Sequence, residues 1–383
     1  MSRSKPSPTY LASLKQRYAR ASKKERSTIL DEFVKTSGYH RKHAIALLRG
    51  KRRHRTGPIR RPRARVYTQE DRAAIVQLAE WFDQISSKRL RVAMDNTLDD
   101  LRRRKHLRVS RECFARLHVI SASTLDRLRA AARATVPLRR GHTKPGTLLK
   151  RQIPIRTFAD WDDTRPGFTE MDLVDHSGGN SRGEFAHTLN VTDVHTGWTE
   201  MRAVRTKAQK FVFAALQVIR DRLPVPLLGL DSDNGQEFIN DQLLRYCDQE
   251  HITFTRGRVG RKNDNPYVEQ KNWSVVRRLV GYDRYDTQPQ VDQLNRAYSV
   301  YRLYVNFFLP VMKLKQKVRI GSRVKKIYDA PQTPYARLLA SPDVEEATQA
   351  KLRAIYAQLD VVNLKREIEA LLDALKPTRS GAR

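Results

Sequence analysis

Through residues 1–130 the apolar positions recur every three to four residues, the spacing of amphipathic helices. Tyr10, Leu11, Leu14 and Tyr18 form one stripe; Ile29, Leu30, Phe33 and Val34 form a second. The second helix is predicted to open on a capping box of Ser22 and Glu25 and to stop at Gly38, since glycine readily takes the left-handed conformation that ends helices. A short turn leads into residues 41–49, with Ala44, Leu47 and Leu48 inward and His40, Arg41 and His43 outward. This order predicts a helix-turn-helix unit whose third helix suits a major groove. A second helical set follows. Thr68 caps a helix carrying Ile75, Leu78, Ala79 and Phe82, and a further helix carries Val92, Met94, Leu98 and Leu101. Ser110 and Ser121 cap two shorter helices, a second helix-turn-helix candidate with arginines on its outer face.

From about residue 151 the pattern becomes alternating. Strands are predicted at 168–176, 185–194 and 198–204, then a helix at 207–223, a strand at 226–231, a helix at 236–250 and a short strand at 252–255. A last helix of this segment is expected from Pro266 to about Val280, with Asn265 as its cap. The order is βββαβαβα. Further on, a helix carries Leu294, Tyr298, Tyr301 and Tyr304, whose rings are expected in a core. Residues 313–327 alternate basic and apolar about a Gly-Ser turn, as in a hairpin laid on a phosphate backbone. Helices at 343–358 and 362–375 close the chain, the second with a seam of Val362, Leu364, Ile368, Leu371, Leu372 and Leu375 that suits internal packing or another subunit.

Charge changes this picture. The 383 residues carry a formal net charge of +33, which attracts polyanions through counterion release. It is divided unevenly: about +26 over 1–150, −1 over 151–288 and +8 over 289–383. These shifts, together with the basic linker that follows the first helix-turn-helix, mark four expected domains: helix-turn-helix with a basic linker (1–66), a second helical domain with a linker (67–150), a near-neutral α/β core (151–288) and a basic, helical C-terminal region (289–383). Phosphate contacts are expected from Arg41 and Lys42 on the third helix and from Arg52, Arg53 and Arg63 in the linker. Cys113 and Cys247 stand far apart and encode neither a disulfide framework nor a zinc site. No apolar run reaches the roughly 18 residues that span a bilayer, so no membrane partner is expected and the location is taken as the cytoplasm, on the nucleoid.

Three acids stand out in the near-neutral centre. Asp172 interrupts an apolar strand, Asp233 follows the fourth strand, and Glu269 opens the last helix of the segment. Asp is depleted from strands, so an Asp between Met171 and Leu173 calls for an offset such as a bound cation. Strand ends in α/β folds face a shared crevice. Asp231 competes with Asp233, while Asp175, Asp193 and Asp264 suit turns or caps.

Residues 232–238, Ser-Asp-Asn-Gly-Gln-Glu-Phe, resemble the (S/T)DNGxEF signature of the DDE transposase and retroviral integrase superfamily, and 261–273 resemble the KNDxxxVEQKNW block of insertion-sequence transposases. The resemblance covers about 160–290. It implies a ribonuclease-H-like mixed sheet at the centre of a multidomain α plus α/β protein. Asp172, Asp233 and Glu269 are then the catalytic acids, holding two Mg2+ ions that Mn2+ can replace, with Asp172 bridging. The implied activity is cleavage at transposon ends and transfer of the freed 3′-hydroxyl into target DNA. Double-stranded DNA, as terminal inverted repeats and target, is the expected partner, bound by a homo-oligomer; Lys262 and Lys271 are expected at phosphates. The zinc module of retroviral integrases has no counterpart in the cysteines. A non-catalytic DNA-binding regulator and a ribonuclease-H-like nuclease remain the alternatives.

Overall fold

The computed structural model describes residues 6–50, 66–130, 164–232, 238, 241–256, 266–320 and 323–375. They divide into two units, Met1–Val66 and Tyr67–Arg383. The first holds α1 (Pro8–Arg20), α2 (Lys23–Ser37) and α3 (Arg41–Leu48). Ser22 and Glu25 close the expected capping box, and Gly38 ends α2 at φ 68°. Leu14, Tyr18, Ile29, Leu30, Phe33, Ala44 and Leu48 form its core, whereas Tyr10 stays 42% exposed.

The second unit begins with α4 (Gln69–Trp81), α5 (Ser87–Arg103), α6 (Arg111–Val119) and α7 (Ala122–Arg129). Asp71, buried, accepts from Arg116 and ties α4 to α6. Arg127 is exposed as expected of an outer face. Arg129 is not: it is 2% exposed and donates to Ile85 O and Ser87 Oγ. Its position faces α4 and α5, where Ile85 O, Ser87 Oγ and Gln84 Oε1 accept from its two terminal nitrogens and offset the cost of burying the guanidinium.

Five strands follow: β1 (Phe168–Asp175), β2 (His187–Asp193), β3 (Thr199–Val204), β4 (Gly229–Ser232) and β5 (Thr253–Arg256), in the order β3-β2-β1-β4-β5. β1, β2 and β3 pair antiparallel, while β1–β4 and β4–β5 pair parallel. This is the mixed sheet of the expected ribonuclease-H-like architecture. The two faces of the sheet differ in chemistry. Met171, Leu189, Val191 and Leu230 join the apolar cluster of α8 (Gln209–Arg222) and α9 (Asp241–Gln249). The alternate positions Glu170, Asp172, Thr188, Asn190 and Thr192 give the other face its polar character.

That polar face receives a helix in three parts, α10 (Pro266–Lys271), a π-helical turn (Asn272–Arg277) and α11 (Arg278–Val280), and then α12 (Gln288–Phe308). β3 is an edge strand, and α12 covers it with side-chain amides. Asn306 exchanges hydrogen bonds with Thr199 N and O, and Asn295 with Ala203 N and O, 2.8–3.0 Å. An exposed edge that would template further strands is thereby satisfied.

The chain closes with the ribbon β6 (Leu314–Ile320) and β7 (Arg323–Tyr328), then α13 (Pro334–Ala340), α14 (Glu346–Gln358) and α15 (Val361–Asp373). The seam of Val362, Leu364 and Ile368 is buried inside this unit, and Gln293 of α12 donates to Leu371 O. Residues of α4–α7, of the sheet and of α12–α15 share one hydrophobic cluster. The segments that composition divides at 150 and 288 thus form one unit, because the helices before and after the sheet bury their stripes against each other. Tyr304 Oη donating to Trp81 O at 2.7 Å is one such link.

Candidate active site

Asp172 lies mid-strand in β1, half-buried, where the apolar flanks Met171 and Leu173 point to the opposite face. Its Oδ1 accepts from Leu173 N at 2.7 Å and its Oδ2 from Asn272 Nδ2 at 2.6 Å. Asn272 Oδ1 in turn accepts from Asn190 Nδ2 at 2.7 Å, and Asn190 is the residue of β2 paired with Asp172. Two asparagines therefore fix the carboxylate's rotamer and link it to the helix that crosses the polar face.

The same helix is held at its start. Glu170, wholly buried and two residues before Asp172, accepts from Tyr267 N at 2.9 Å and Val268 N at 3.0 Å. These are amides that an α-helix leaves without intrahelical partners, and a carboxylate there also meets the positive end of the helix dipole. Glu269 lies between the two attachments, after Val268 and before Asn272, and is exposed. β1 thus carries one acid that docks the helix and, on the same face, one acid beside Asn272.

Asp233 lies outside the described residues, as do Arg52, Arg53, Arg63 and Lys262. Ser232, the last residue of β4, pairs with Met171, next to Asp172. Asp231 is buried and accepts from Thr255 Oγ1 at 2.6 Å, an interior role between β4 and β5. Asp193 accepts from Gly167 N, Thr196 N and Thr196 Oγ1 as a turn residue, and burial pushes its pKa up. Asp175 pairs with His187 at 3.1 Å. Among the described residues no three His, Cys, Asp or Glu side chains form a metal-binding group. The donors that the sequence nominates are carboxylates, the hard oxygen ligands that Mg2+ takes. Asp172 fits that chemistry: it is half-exposed on a polar face and held in place by neighbouring amides. On α3, Lys42 is exposed, and Arg41, also exposed, is paired with Asp31 and donates to Ser27 Oγ at 2.9 Å.

Lys271 departs from expectation. It is 9% exposed, and its Nζ donates to Gly197 O at 3.0 Å. The docked helix turns this position inward, so the side chain supports the β2–β3 turn instead of reaching solvent phosphates. Burial, with Arg89 and Arg337 nearby, pushes its pKa from 10.5 down to about 7. Between those values the unfolded chain binds a proton that the folded protein does not, so stability rises with pH there, by up to about 1.4 kcal/mol per pH unit. Below about 7 both states are protonated and the penalty is present in full. The stability of the wild type relative to Lys271→Met should therefore improve by about 2 kcal/mol between pH 7 and pH 9. Urea unfolding of both proteins at the two pH values measures it; a pH-independent difference contradicts the assignment.

Neither Glu170 nor Asn190 was singled out in the sequence, although alternation along β1 places Glu170 on the face of Asp172. Asn272 falls within the 261–273 block, whose pattern gives no sign that its amide holds Asp172. The family model for the integrase core domain matches residues 163–262. Uncharacterized protein y4rM of Sinorhizobium fredii (strain NBRC 101917 / NGR234) is 43% identical over 326 residues, 84% of this chain and 92% of that protein. Among solved structures, the dimeric HTLV-2 integrase catalytic core domain in complex with magnesium aligns at 15% identity over 39% of this chain and 93% of its own, TM-score 0.30. The catalytic core domain of BIV integrase aligns at 20% identity over 44% and 91%, TM-score 0.30.

Proposed function

We propose, for a chain that belongs to one family with y4rM and is built around an integrase core domain, the function of a DNA transposase. It would cut DNA at the ends of a mobile element and join the resulting 3′-hydroxyls to target DNA. The observation that carries this reading is Asp172, set in the middle of β1 and hydrogen-bonded through Asn272 to the helix that bears Glu269. A carboxylate held that firmly at a strand centre serves charge better than it serves packing.

Asp172, Asp233 and Glu269 are assigned as the acids that would hold two Mg2+ ions, with Mn2+ an admissible replacement. When bound, such a pair supplies activation of the attacking oxygen and neutralises charge on the transferring phosphate. Asn272 and Asn190 orient Asp172, and Glu170 fixes where the helix of Glu269 begins. Duplex DNA is gripped by basic side chains. Lys42 and Arg41 serve on α3, as the recognition helix of a helix-turn-helix, and Arg52, Arg53, Arg63 and Lys262 serve through their charge. The β6–β7 ribbon joins them: Lys315, Arg319, Lys325 and Lys326 are exposed along it, and no acid interrupts either strand. Two element ends must be processed together, which calls for a homo-oligomer assembled on DNA. No helix among the described residues is long and apolar enough to cross a membrane, and the nucleoid is the proposed place of action.

The test uses the full chain with labelled duplexes copied from the DNA bordering its own gene, an unlabelled acceptor duplex and Mg2+. Cleavage leaving a 3′-hydroxyl, followed by joined product, is expected, with both lost in chelator. Cleavage without any joining would make the protein a nuclease, and binding without cleavage would make it a regulator.

A further inference from the structure

Trp273 is 46% exposed, while Trp198 is buried at 2%. It lies one turn beyond Glu269, and four residues of α-helix bring a side chain back to within about 40° of its starting direction. The next exposed position is Arg278, five residues on, whose guanidinium carbon sits 6.0 Å from the centroid of the Trp273 ring. In a regular α-helix that spacing would point Arg278 about 140° away. The π-helical turn Asn272–Arg277 supplies the extra residue that rotates it back. Arg278 is also tethered by a hydrogen bond to Asp83 O. Val268, Val275, Val276 and Val280 occupy the opposite, buried face. The irregular turn therefore builds one exposed stripe of acid, aromatic ring and guanidinium.

A partner for this stripe needs a flat apolar face for the indole and negative charge for the guanidinium. A nucleotide whose base has left the duplex offers both, because every base has a π-face and carries its phosphate beside it. A solvent-facing protein contact would satisfy the ring but leave the cation's placement beside it unexplained. We propose that Trp273 is a stacking platform for an unpaired nucleobase next to the reacting phosphodiester, with Arg278 bracing the ring. This rests on the transposase reading for the identity of the reacting DNA. It adds that the chain prefers ends whose strands have separated.

Binding is measured without divalent metal, by fluorescence anisotropy, on a blunt duplex and on a forked duplex of the same paired sequence ending in a few unpaired thymidines. The wild type should bind the fork about tenfold more tightly than the blunt duplex. Trp273→Ala should lose that preference while keeping its affinity for the blunt duplex, and Trp273→Phe, which retains a ring, should keep most of it. A fork preference that survives in Trp273→Ala, no preference in the wild type, or an equal loss on both duplexes overturns the proposal. Failure of metal-dependent cleavage and joining by the wild type would instead strike the transposase reading, and it is scored separately on the border duplexes.

Discussion

Asp172→Asn is expected to lower metal-dependent DNA cleavage by at least about a thousandfold while leaving DNA affinity and thermal stability close to those of the wild type. The substitution is nearly isosteric. Its amide oxygen can still accept from Leu173 N, and flipping the Asn272 and Asn190 amides together restores both remaining bonds, with Asn272 Oδ1 accepting from the new amide and Asn190 Oδ1 accepting from Asn272 Nδ2. What goes is the negative charge, and hard divalent cations are held by charge on oxygen. Asn272→Ala makes the graded contrast. It keeps the charge of Asp172 but frees its rotamer and the bridge to Asn190, a loss that for residues supporting metal ligands costs about ten- to a hundredfold in metal affinity. Raising Mg2+ should therefore rescue Asn272→Ala and fail to rescue Asp172→Asn. Cleavage of border duplexes across a Mg2+ titration, beside a gel-shift measurement of binding, separates the two. Full activity in Asp172→Asn would remove the residue from the catalytic set.

The alternation of β1 made the strand and its odd acid readable from the chain, because period-two patterning survives wherever one sheet face is apolar. The order of elements along the chain was readable for the same reason, through the run of three patterned strands and the helices that follow, whereas their order in the sheet was not. Lys271 was misread because a helical lysine is ordinarily solvated, and only the docking of α10 through Glu170 turns it inward. Arg129 failed in the same way: a local pattern ranks a residue as outward until a distant carbonyl, here Ile85 O, accepts it. α13 went unseen although Thr333 followed by Pro334 is a helix-start signal, and Thr333 Oγ1 does accept from Ala336 N at 3.0 Å. The π-helical turn has no comparable signature, since nothing in residues 272–277 departs from an ordinary helical stripe. Its consequence, the alignment of Trp273 with Arg278, is therefore a property of the folded helix and not of the residue pattern.

Arg302→Met is expected to destabilise the folded protein by about 3–5 kcal/mol. Arg302 Nε and Nη2 each donate to Glu200 at 2.6 Å, and Nη2 also donates to Arg222 O at 3.1 Å, so one side chain joins α12, β3 and the end of α8. Glu200 has no exposure and keeps the Trp198 Nε1 donor, at 2.8 Å, after the change. One hydrogen bond is poor compensation for a carboxylate removed from water, whereas a bidentate guanidinium offsets that cost. The damage should concentrate at the edge of the sheet, because Asn295 and Asn306, which satisfy the outer amides of β3, ride on the same helix face as Arg302. Glu200→Gln combined with Arg302→Met removes the stranded charge and should recover a large part of the loss. Denaturant unfolding of the three proteins, with hydrogen exchange at Thr199 and Ala203, tests this. A loss below about 1 kcal/mol for Arg302→Met, the range of exposed ion pairs, would mean that water reaches Glu200 and that the pair does not hold α12 to the sheet.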